Sequence, residues 1–434
     1  MRLLPLLFAG LLGAATAHAQ VSVSGFGTVG YAVSDKPYAY QRFVDQAGTF
    51  NRDTVLGLQV DARLSEQFSF VAQAKLAPSI RNDSGWDPTL TWAFLAWRPH
   101  NELLLRLGRF RVPYYLNSAN LDVGVTYEPA QLPPELYSIS TTNETNGVSI
   151  TKNWTLPEGE VTLDGYWGVS NSYWRFFFRD GVPSIGSPPQ VAIFMPTRID
   201  SKGLALTLAH QENTFRAGFH QADVTRRDGE DFTAGFDKIM LTPSQGFYPP
   251  SDNFPLSPGY VLPTRSSLRF NIFTLGFDVG LGHDFRLIGE YARRANIKAP
   301  ASGADTHGGY LSLQRKVGPW HPYLTVSRLK STDDSLDLYL NVNGNRVTSP
   351  PLPSAGLAAT VNSTQRLNAD RLVVYDQGTL ALGTSYLLSP TQKIKAEWAV
   401  TRIGKVSDFV DAATGRDVAH ANIHVLSLSY NFTF

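Results

Sequence analysis

Charged side chains alternate with apolar ones along several short segments of the chain. In residues 54–64, Asp61 and Arg63 stand between apolar neighbours, and Lys75 and Arg106 hold equivalent positions in two later segments. Alternate side chains of a strand point to opposite faces, so these charges would share one wet face. Fixed charges on the wall of a narrow aqueous passage concentrate ions of opposite sign and repel those of like sign. The predicted chemistry is ion selection.

Strict alternation predicts an excess of basic residues on this wet face. An electropositive interior with a mild preference for anions follows, although the formal net charge of the chain is only +1. The alternative is that these charges are solvated and paired locally, as Asp61 and Arg63 would be. The basic residues are Arg63, Lys75, Arg106, Arg216, Arg269, Arg286, Lys316 and Lys395, against Asp61, Asp164, Glu290 and Glu397.

These charges would be positioned by sixteen segments with a period of two, the signature of strands with one apolar and one polar face. The last segment, 421–434, shows it most clearly, because leucine, tyrosine and phenylalanine alternate there with serine, asparagine and threonine. Predicted strands cover 21–34, 54–64, 68–76, 89–98, 103–109, 147–153, 160–169, 203–209, 214–222, 267–279, 284–294, 309–317, 322–329, 379–387, 393–402 and 421–434.

Short and long connections alternate along this series, as in outer-membrane barrels with short periplasmic turns and long extracellular loops. We therefore predict an all-β protein, a transmembrane antiparallel β-barrel of sixteen strands in one domain, residues 20–434. Fourteen or eighteen strands stay open, because 174–200 and 336–374 could each contain another hairpin. Segment 89–98 is apolar on both faces, and its Trp92 and Phe94 are candidates for a contact between subunits.

The first nineteen residues have the pattern of a secretory signal peptide. Met1 and Arg2 precede an apolar stretch, and Ala17-His18-Ala19 provides a cleavage site. No later apolar run is long enough for a transmembrane helix. The chain has no cysteine, and its near-neutral charge gives no case for a nucleic-acid partner. Export to the outer membrane is the expectation.

Residues 105–139, LRLGRFRVPYYLNSANLDVGVTYEPAQLPPELYSI, resemble a segment of porin-like proteins of proteobacteria. Together with the strand pattern, the whole chain resembles the trimeric Gram-negative porins. The resemblance implies a homotrimer in contact with outer-membrane lipid and lipopolysaccharide. It also implies that the third loop, 110–146, folds into the barrel and narrows a pore for small hydrophilic solutes.

General porins place acids of the third loop opposite a basic ladder on the wall. The resemblance therefore assigns Asp122, Glu128 and Glu135 to the pore, opposite the ladder of Arg63, Lys75 and Arg106. A substrate-specific channel for anions such as phosphate or dicarboxylates is the alternative.

Strict alternation points Arg109 and Arg111 towards lipid, unless Gly108 marks a bulge or the strand has already ended.

A barrel enzyme is a remote alternative, because the histidines are poorly placed for catalysis. A serine nucleophile needs an adjacent base, but His100, His283 and His321 fall in the short turns, away from the cell surface. His420 and His424 would be about 13 Å apart on a strand, too far to share a metal ion. We predict no catalytic residue, no metal site and no cofactor.

Overall fold

The computed structural model describes residues 20–140, 143–182, 185–299, 304–416 and 418–434. The predicted signal peptide, 1–19, lies outside these residues. Sixteen antiparallel strands form a closed barrel in which each strand pairs with its neighbours in the chain. The strands are Gln20–Ser34 (β1), Val55–Arg63 (β2), Phe68–Pro78 (β3), Trp86–His100 (β4), Leu103–Arg111 (β5), Glu144–Leu156 (β6), Gly159–Phe178 (β7), Val191–His210 (β8), Asn213–Arg226 (β9), Ser267–Gly282 (β10), Phe285–Asn296 (β11), Thr306–Arg315 (β12), Trp320–Ser331 (β13), Tyr375–Ser389 (β14), Gln392–Ser407 (β15) and Asn422–Thr433 (β16).

Strand β1 closes the barrel by pairing with two partners. Its first part, 20–28, pairs with β2, and its second part, 26–34, pairs with β16. Gly25 and Phe434 exchange backbone hydrogen bonds of 2.9 and 3.0 Å at this seam. The predicted fold class and the count of sixteen strands are confirmed, since each predicted segment overlaps one strand.

The barrel is apolar outside and polar inside. On β16, Leu426 and Leu428 are 58% and 56% exposed on the outer face, whereas Ser427 and Ser429 are 6% and 3% exposed on the inner face. In a water-soluble protein the apolar side chains lie inside and the polar ones outside, so the order here is reversed. It suits a closed sheet in lipid, where every backbone N–H and C=O must be hydrogen-bonded to another strand.

The two doubtful stretches contain no additional barrel hairpin. Residues 174–200 lengthen β7 and β8, which remain paired up to Phe178 and Val191 and extend beyond their neighbours. Residues 333–369 instead hold two helices in the loop between β13 and β14.

The helices are α1 (Pro134–Tyr137), α2 (Asp333–Gly344) and α3 (Ala355–Ala369), with a 3-10 turn at Gly124–Thr126. None of the helices in the described ranges is long and apolar enough to cross a membrane. One short strand pair links two loops, Ala39–Tyr40 with Val410–Asp411. Two more lie within the loop between β9 and β10: Phe232–Thr233 with Thr264–Arg265, and Ile239–Met240 with Gly246–Phe247.

A bulge in β4 turns two predicted interface residues inward. The register shifts at Thr91, which is fully buried, while Leu90 is 48% exposed on the outer face. Phe94 is buried, and its ring lies 5.7 Å from the guanidinium carbon of Arg106. Phe94 belongs to a cluster of buried apolar side chains inside the barrel, and Trp92 packs against that cluster. The prediction that Trp92 and Phe94 contact another subunit is therefore wrong, because alternation cannot reveal the bulge.

Candidate functional site in the barrel interior

Residues 112–143, which connect β5 to β6 and are called the inner loop here, cross the interior of the barrel. The loop is fixed first to β9, where the Arg216 guanidinium donates to the Pro113 carbonyl at 2.9 Å. Further along, the Arg294 guanidinium of β11 donates to the Ile139 carbonyl at 2.8 Å. The loop is held through its backbone, which explains why alternation alone could not locate these contacts.

Glu290 on β11 is the hub of this attachment. Its carboxylate is 5% exposed and accepts hydrogen bonds from the Leu116 N–H at 2.7 Å and from the Tyr137 hydroxyl at 2.7 Å. The Tyr310 hydroxyl donates to it at 2.8 Å. Three donors therefore converge on one buried carboxylate, the kind of arrangement that a buried acid requires.

The middle of the loop is held by β13, β14 and β15. Glu135 is fully buried and accepts hydrogen bonds from Ser327, Gln377 and Thr379 at 2.9, 2.7 and 2.5 Å. The Lys395 ammonium donates to the backbone carbonyl of residue 129 at 2.8 Å. Because β9 and β15 lie far apart around the barrel, the loop spans the interior and reduces its free cross-section.

The predicted contact between the ladder and the loop exists at Asp122. Lys75 of β3 lies 2.9 Å from the Asp122 carboxylate, and Arg111 at the end of β5 also donates to it. Burial tends to raise the pKa of Asp122, but the nearby Lys75 and Arg111 outweigh it, so the pKa lies below its ordinary value. The carboxylate is therefore ionised and holds the loop against this wall.

Arg111 faces inward, contrary to strict alternation. Gly108 has φ +135°, a conformation open to glycine, but the pairing of β5 with β4 and β6 passes it without a register shift. Phe110 keeps the inward position that alternation predicts and is 3% exposed, while the side chain of Arg111, the last residue of β5, is 3% exposed beside Asp122. The end of β5 at Arg111, and not a bulge at Gly108, therefore accounts for this inward side chain.

Glu128 and Glu135 do not face the ladder, and that part of the prediction is wrong. Glu128 lies across the barrel, where Lys393 of β15 is 3.0 Å from its carboxylate and Ser385 also donates to it. Burial tends to raise the pKa of Glu128, but Lys393 and Ser385 bring it below its ordinary value. Asp122 and Glu128 are six residues apart, and six extended residues can span about 20 Å. Two acids this close in sequence can therefore reach different walls of the barrel.

The remaining predicted residues lie apart from the inner loop. Asp61 accepts a hydrogen bond of 2.8 Å from Gln59, and Arg63 is exposed at the turn end of β2. Arg106 donates to the Thr151 hydroxyl at 3.3 Å. Within the described part of the chain, neither Arg63 nor Arg106 has a carboxylate oxygen within 4.0 Å.

The first loop, between β1 and β2, also enters the barrel. Tyr40 is 2% exposed, and its hydroxyl lies 3.1 Å from both Thr401 of β15 and Gln377 of β14. The next residues, Gln41 and Arg42, have φ angles of 51° and 72°, a strained conformation for residues other than glycine. Sequence alternation gave no sign of this inward turn.

A cavity of about 410 Å³ remains between the first loop, the inner loop and the wall formed by β1 to β3. Its lining combines opposite charges with aromatic and amide groups: Arg42, Arg52, Asp53, Asp122, Tyr127 and Gln131. Arg52 and Asp53 are paired at 2.5 Å. The cavity is large enough for several water molecules or a small polar solute.

A buried ion network spans the mouth of the barrel on the long-loop side. Arg175 of β7 donates at 2.9 Å to Asp83, in the loop between β3 and β4. The same guanidinium donates at 3.0 Å to Asp411, between β15 and β16, and Arg42 donates to Asp83 at 2.9 Å. Strands β7 and β15 stand half a circumference apart, so this cluster, called the mouth clamp here, joins opposite sides.

No protein-family model and no curated protein sequence matches the chain. Solved structures do match it over nearly its whole length. The anion-selective porin from Comamonas acidovorans has a TM-score of 0.51 at 12% identity and covers 96% of this chain and 100% of that one. The chain has the fold of an outer-membrane β-barrel. The outer-membrane channel DcaP of Acinetobacter baumannii is similarly related, with a TM-score of 0.51 at 11% identity over 96% of this chain and 98% of that one.

The inner loop and the cavity both lie inside the barrel, and the mouth clamp lies on its long-loop side.

Proposed function

We propose that the chain is an outer-membrane porin, a water-filled channel for passive diffusion of small hydrophilic solutes and ions. The observation that carries this proposal is the barrel with an apolar outer face and, beside its inner loop, a cavity of about 410 Å³ whose lining includes charged and amide side chains. A closed sheet of this kind is stable in lipid and leaves its interior to water. The fold shared with known outer-membrane channels supports the same function.

A mild anion preference follows from the charges that have no partner. Arg63 and Arg106 lack a carboxylate within 4.0 Å in the described residues, so their positive fields are not cancelled locally. The acids Glu135 and Glu290 are 0% and 5% exposed beneath the inner loop and are bonded to neutral donors. Arg63 and Arg106 would raise the local concentration of anions, with Asp61, which also has no partner of opposite charge within 4.0 Å in the described residues, acting against them.

Reversal potential in a planar bilayer under a tenfold salt gradient tests this proposal. We expect discrete conductance steps and an anion-selective reversal potential, because the Arg63 and Arg106 fields act on the passage. The Arg63→Ala/Arg106→Ala double variant should move the reversal potential towards zero.

Lys152→Ala is the matched control. Lys152 is paired with Glu102, in the short turn between β4 and β5, so its replacement should leave the reversal potential unchanged. A folded barrel without conductance would refute the open channel. An unchanged potential in the double variant would refute only the anion preference.

A channel specific for anionic solutes, such as phosphate or dicarboxylates, is the second candidate. It is favoured by Arg42 and Arg52, whose guanidinium groups line the cavity where a carboxylate or phosphate would fit. Phosphate or succinate added at millimolar concentration would then block chloride current in a saturable way. A block that rises only linearly with concentration supports general diffusion.

We further propose that the protein is not an enzyme, and that it reaches the outer membrane after removal of residues 1–19. There it would contact outer-membrane lipid and lipopolysaccharide and assemble as a homotrimer. Mass measurement of the mature protein and of its unheated oligomer in detergent tests both the cleavage site and the assembly. A monomer mass under conditions that preserve the folded barrel would refute the trimer.

A further inference from the structure

The outer face of β7 to β10 changes from apolar to charged side chains towards the long loops. On β8, Leu204, Leu206 and Leu208 are 57%, 49% and 37% exposed and belong to the apolar band. Continuing towards the loops, the same face presents Lys202 and then Arg198. This edge of the apolar band lies at the level of lipid headgroups in the leaflet on the long-loop side.

Four cations and two carboxylates form a patch at this edge, called the rim patch here. Arg198 pairs with Asp200 at 3.1 Å, and Arg269 pairs with Asp223 at 2.8 Å. The prediction that Arg269 faces inward is wrong, because its neighbours Leu268 and Phe270 occupy the inner face and are 3% and 4% exposed. Lys298 lies 3.9 Å from the same Asp223. Within the described residues Lys202 has no carboxylate within 4.0 Å and is exposed. The patch thus has two positive charges in excess and one lysine available for an anion.

An apolar groove of about 600 Å³ begins directly below Lys202. It exists because Gly165 places no side chain on the outer face, between Ile150 and Leu204. Trp167, which is 62% exposed, and Phe219, which is 52% exposed, form its walls. A Cβ atom on Gly165 would lie 3.1 Å from both Ile150 and Leu204, so a larger residue would fill the groove.

We propose that the rim patch and its groove bind one molecule of a phosphorylated, multiply acylated glycolipid of the outer leaflet, the lipopolysaccharide class. A phosphate monoester carries −1.5 to −2 charges, which matches the excess of two positive charges. Lys202 and Arg198 would bind the phosphate, and one acyl chain would fill the groove by close van der Waals contact. The inference rests on the proposed outer-membrane location and is independent of conductance.

The test is the amount of glycolipid that remains bound to the protein after extraction in mild detergent, measured by native mass spectrometry and phosphate assay. Lys202→Glu reverses the charge at the phosphate site and should lower the glycolipid-to-protein ratio about tenfold. Gly165→Leu fills the groove and should also lower it, with the charge unchanged. Lys316→Glu is the matched control, because Lys316 is also exposed but lies in a short turn at the opposite end.

Folding of each variant is checked by its heat-dependent shift in electrophoresis. An unchanged glycolipid ratio in folded Lys202→Glu, or an equal loss in Lys316→Glu, would overturn the proposal. Two other results would also overturn it: a bound glycerophospholipid in place of the glycolipid, or an altered oligomer mass with constant lipid. An altered oligomer mass with constant lipid would show that this face is an interface between copies of the chain.

Discussion

At the scale of single residues, the interior is organised by buried acids that hold a loop. Glu290 collects three donors from the inner loop and from β12, while Glu135 collects three from β13 and β14. Alternation correctly placed the Glu290 side chain inside, but it could not show that this acid binds a loop instead of facing water. The reason is that a partner 153 positions away, Tyr137, is set by the tertiary fold.

Glu290→Ala should release the inner loop at Leu116 and at Tyr137, near its two ends. The buried Leu116 N–H and the two tyrosine hydroxyls would lose their acceptor, at a cost of about 1–3 kcal/mol for each unsatisfied group. We expect a lower temperature for the heat-dependent electrophoretic shift, together with noisier and larger conductance steps. Glu290→Gln retains an acceptor oxygen and should lie between wild type and Glu290→Ala. Identical melting and conductance in all three proteins would show that Glu290 does not hold the loop.

At the scale of elements, strands were predictable only where they cross the lipid. There one face must be apolar and the other polar, so the period of two is enforced. Beyond the bilayer this constraint ends. The extensions of β7 and β8 at 170–178 and 191–202 do not keep the alternation of apolar and polar residues, and they were therefore not predicted as strands. The same holds for α2 and α3, whose polar and small residues contain no alternating run.

The inner loop gives a prediction for pH, because both Asp122 and Glu128 hold it through ion pairs. The pKa of each carboxyl lies below its ordinary value, so the stabilisation is present at neutral pH and is lost as pH falls through the lowered pKa. Conductance at constant ionic strength should therefore stay constant from about pH 7 to 5 and become noisy below about pH 4.

Asp122→Asn should show this noise already at neutral pH, with the Lys75 and Arg111 side chains left without their acid. A transition between pH 6 and 5 in wild type would contradict this assignment, since neither carboxyl titrates there.

At the scale of the whole molecule, the mouth clamp links parts of the barrel that no local sequence pattern could connect. Asp83 and Asp411 are separated from Arg175 by 92 and 236 positions. The sequence placed these residues in three different loops or strand ends and gave no reason to join them. Their convergence is possible only after the barrel has closed and brought the loops over one mouth.

Arg175→Gln should open this mouth. The substitution removes the charge that joins Asp83 to Asp411, so Asp411 loses its ion pair with Arg175 while Asp83 keeps its ion pair with Arg42. We expect larger conductance and faster passage of a neutral solute such as a disaccharide in liposome swelling. Arg198→Gln is the control, because this arginine lies on the outer face and does not contact the clamp. Equal swelling rates in Arg175→Gln and wild type would exclude the clamp as a barrier.

The seam between β1 and β16 has a consequence for biogenesis. Across it Thr28 donates to Asn431 at 2.9 Å, although the two residues are 403 positions apart. Until these strands meet, each exposes an unpaired edge on which other chains could aggregate. Contacts so distant in sequence also form slowly. For the exported protein that we propose, these edges would need shielding until the two strands meet, and we expect barrel closure to be a late step of assembly.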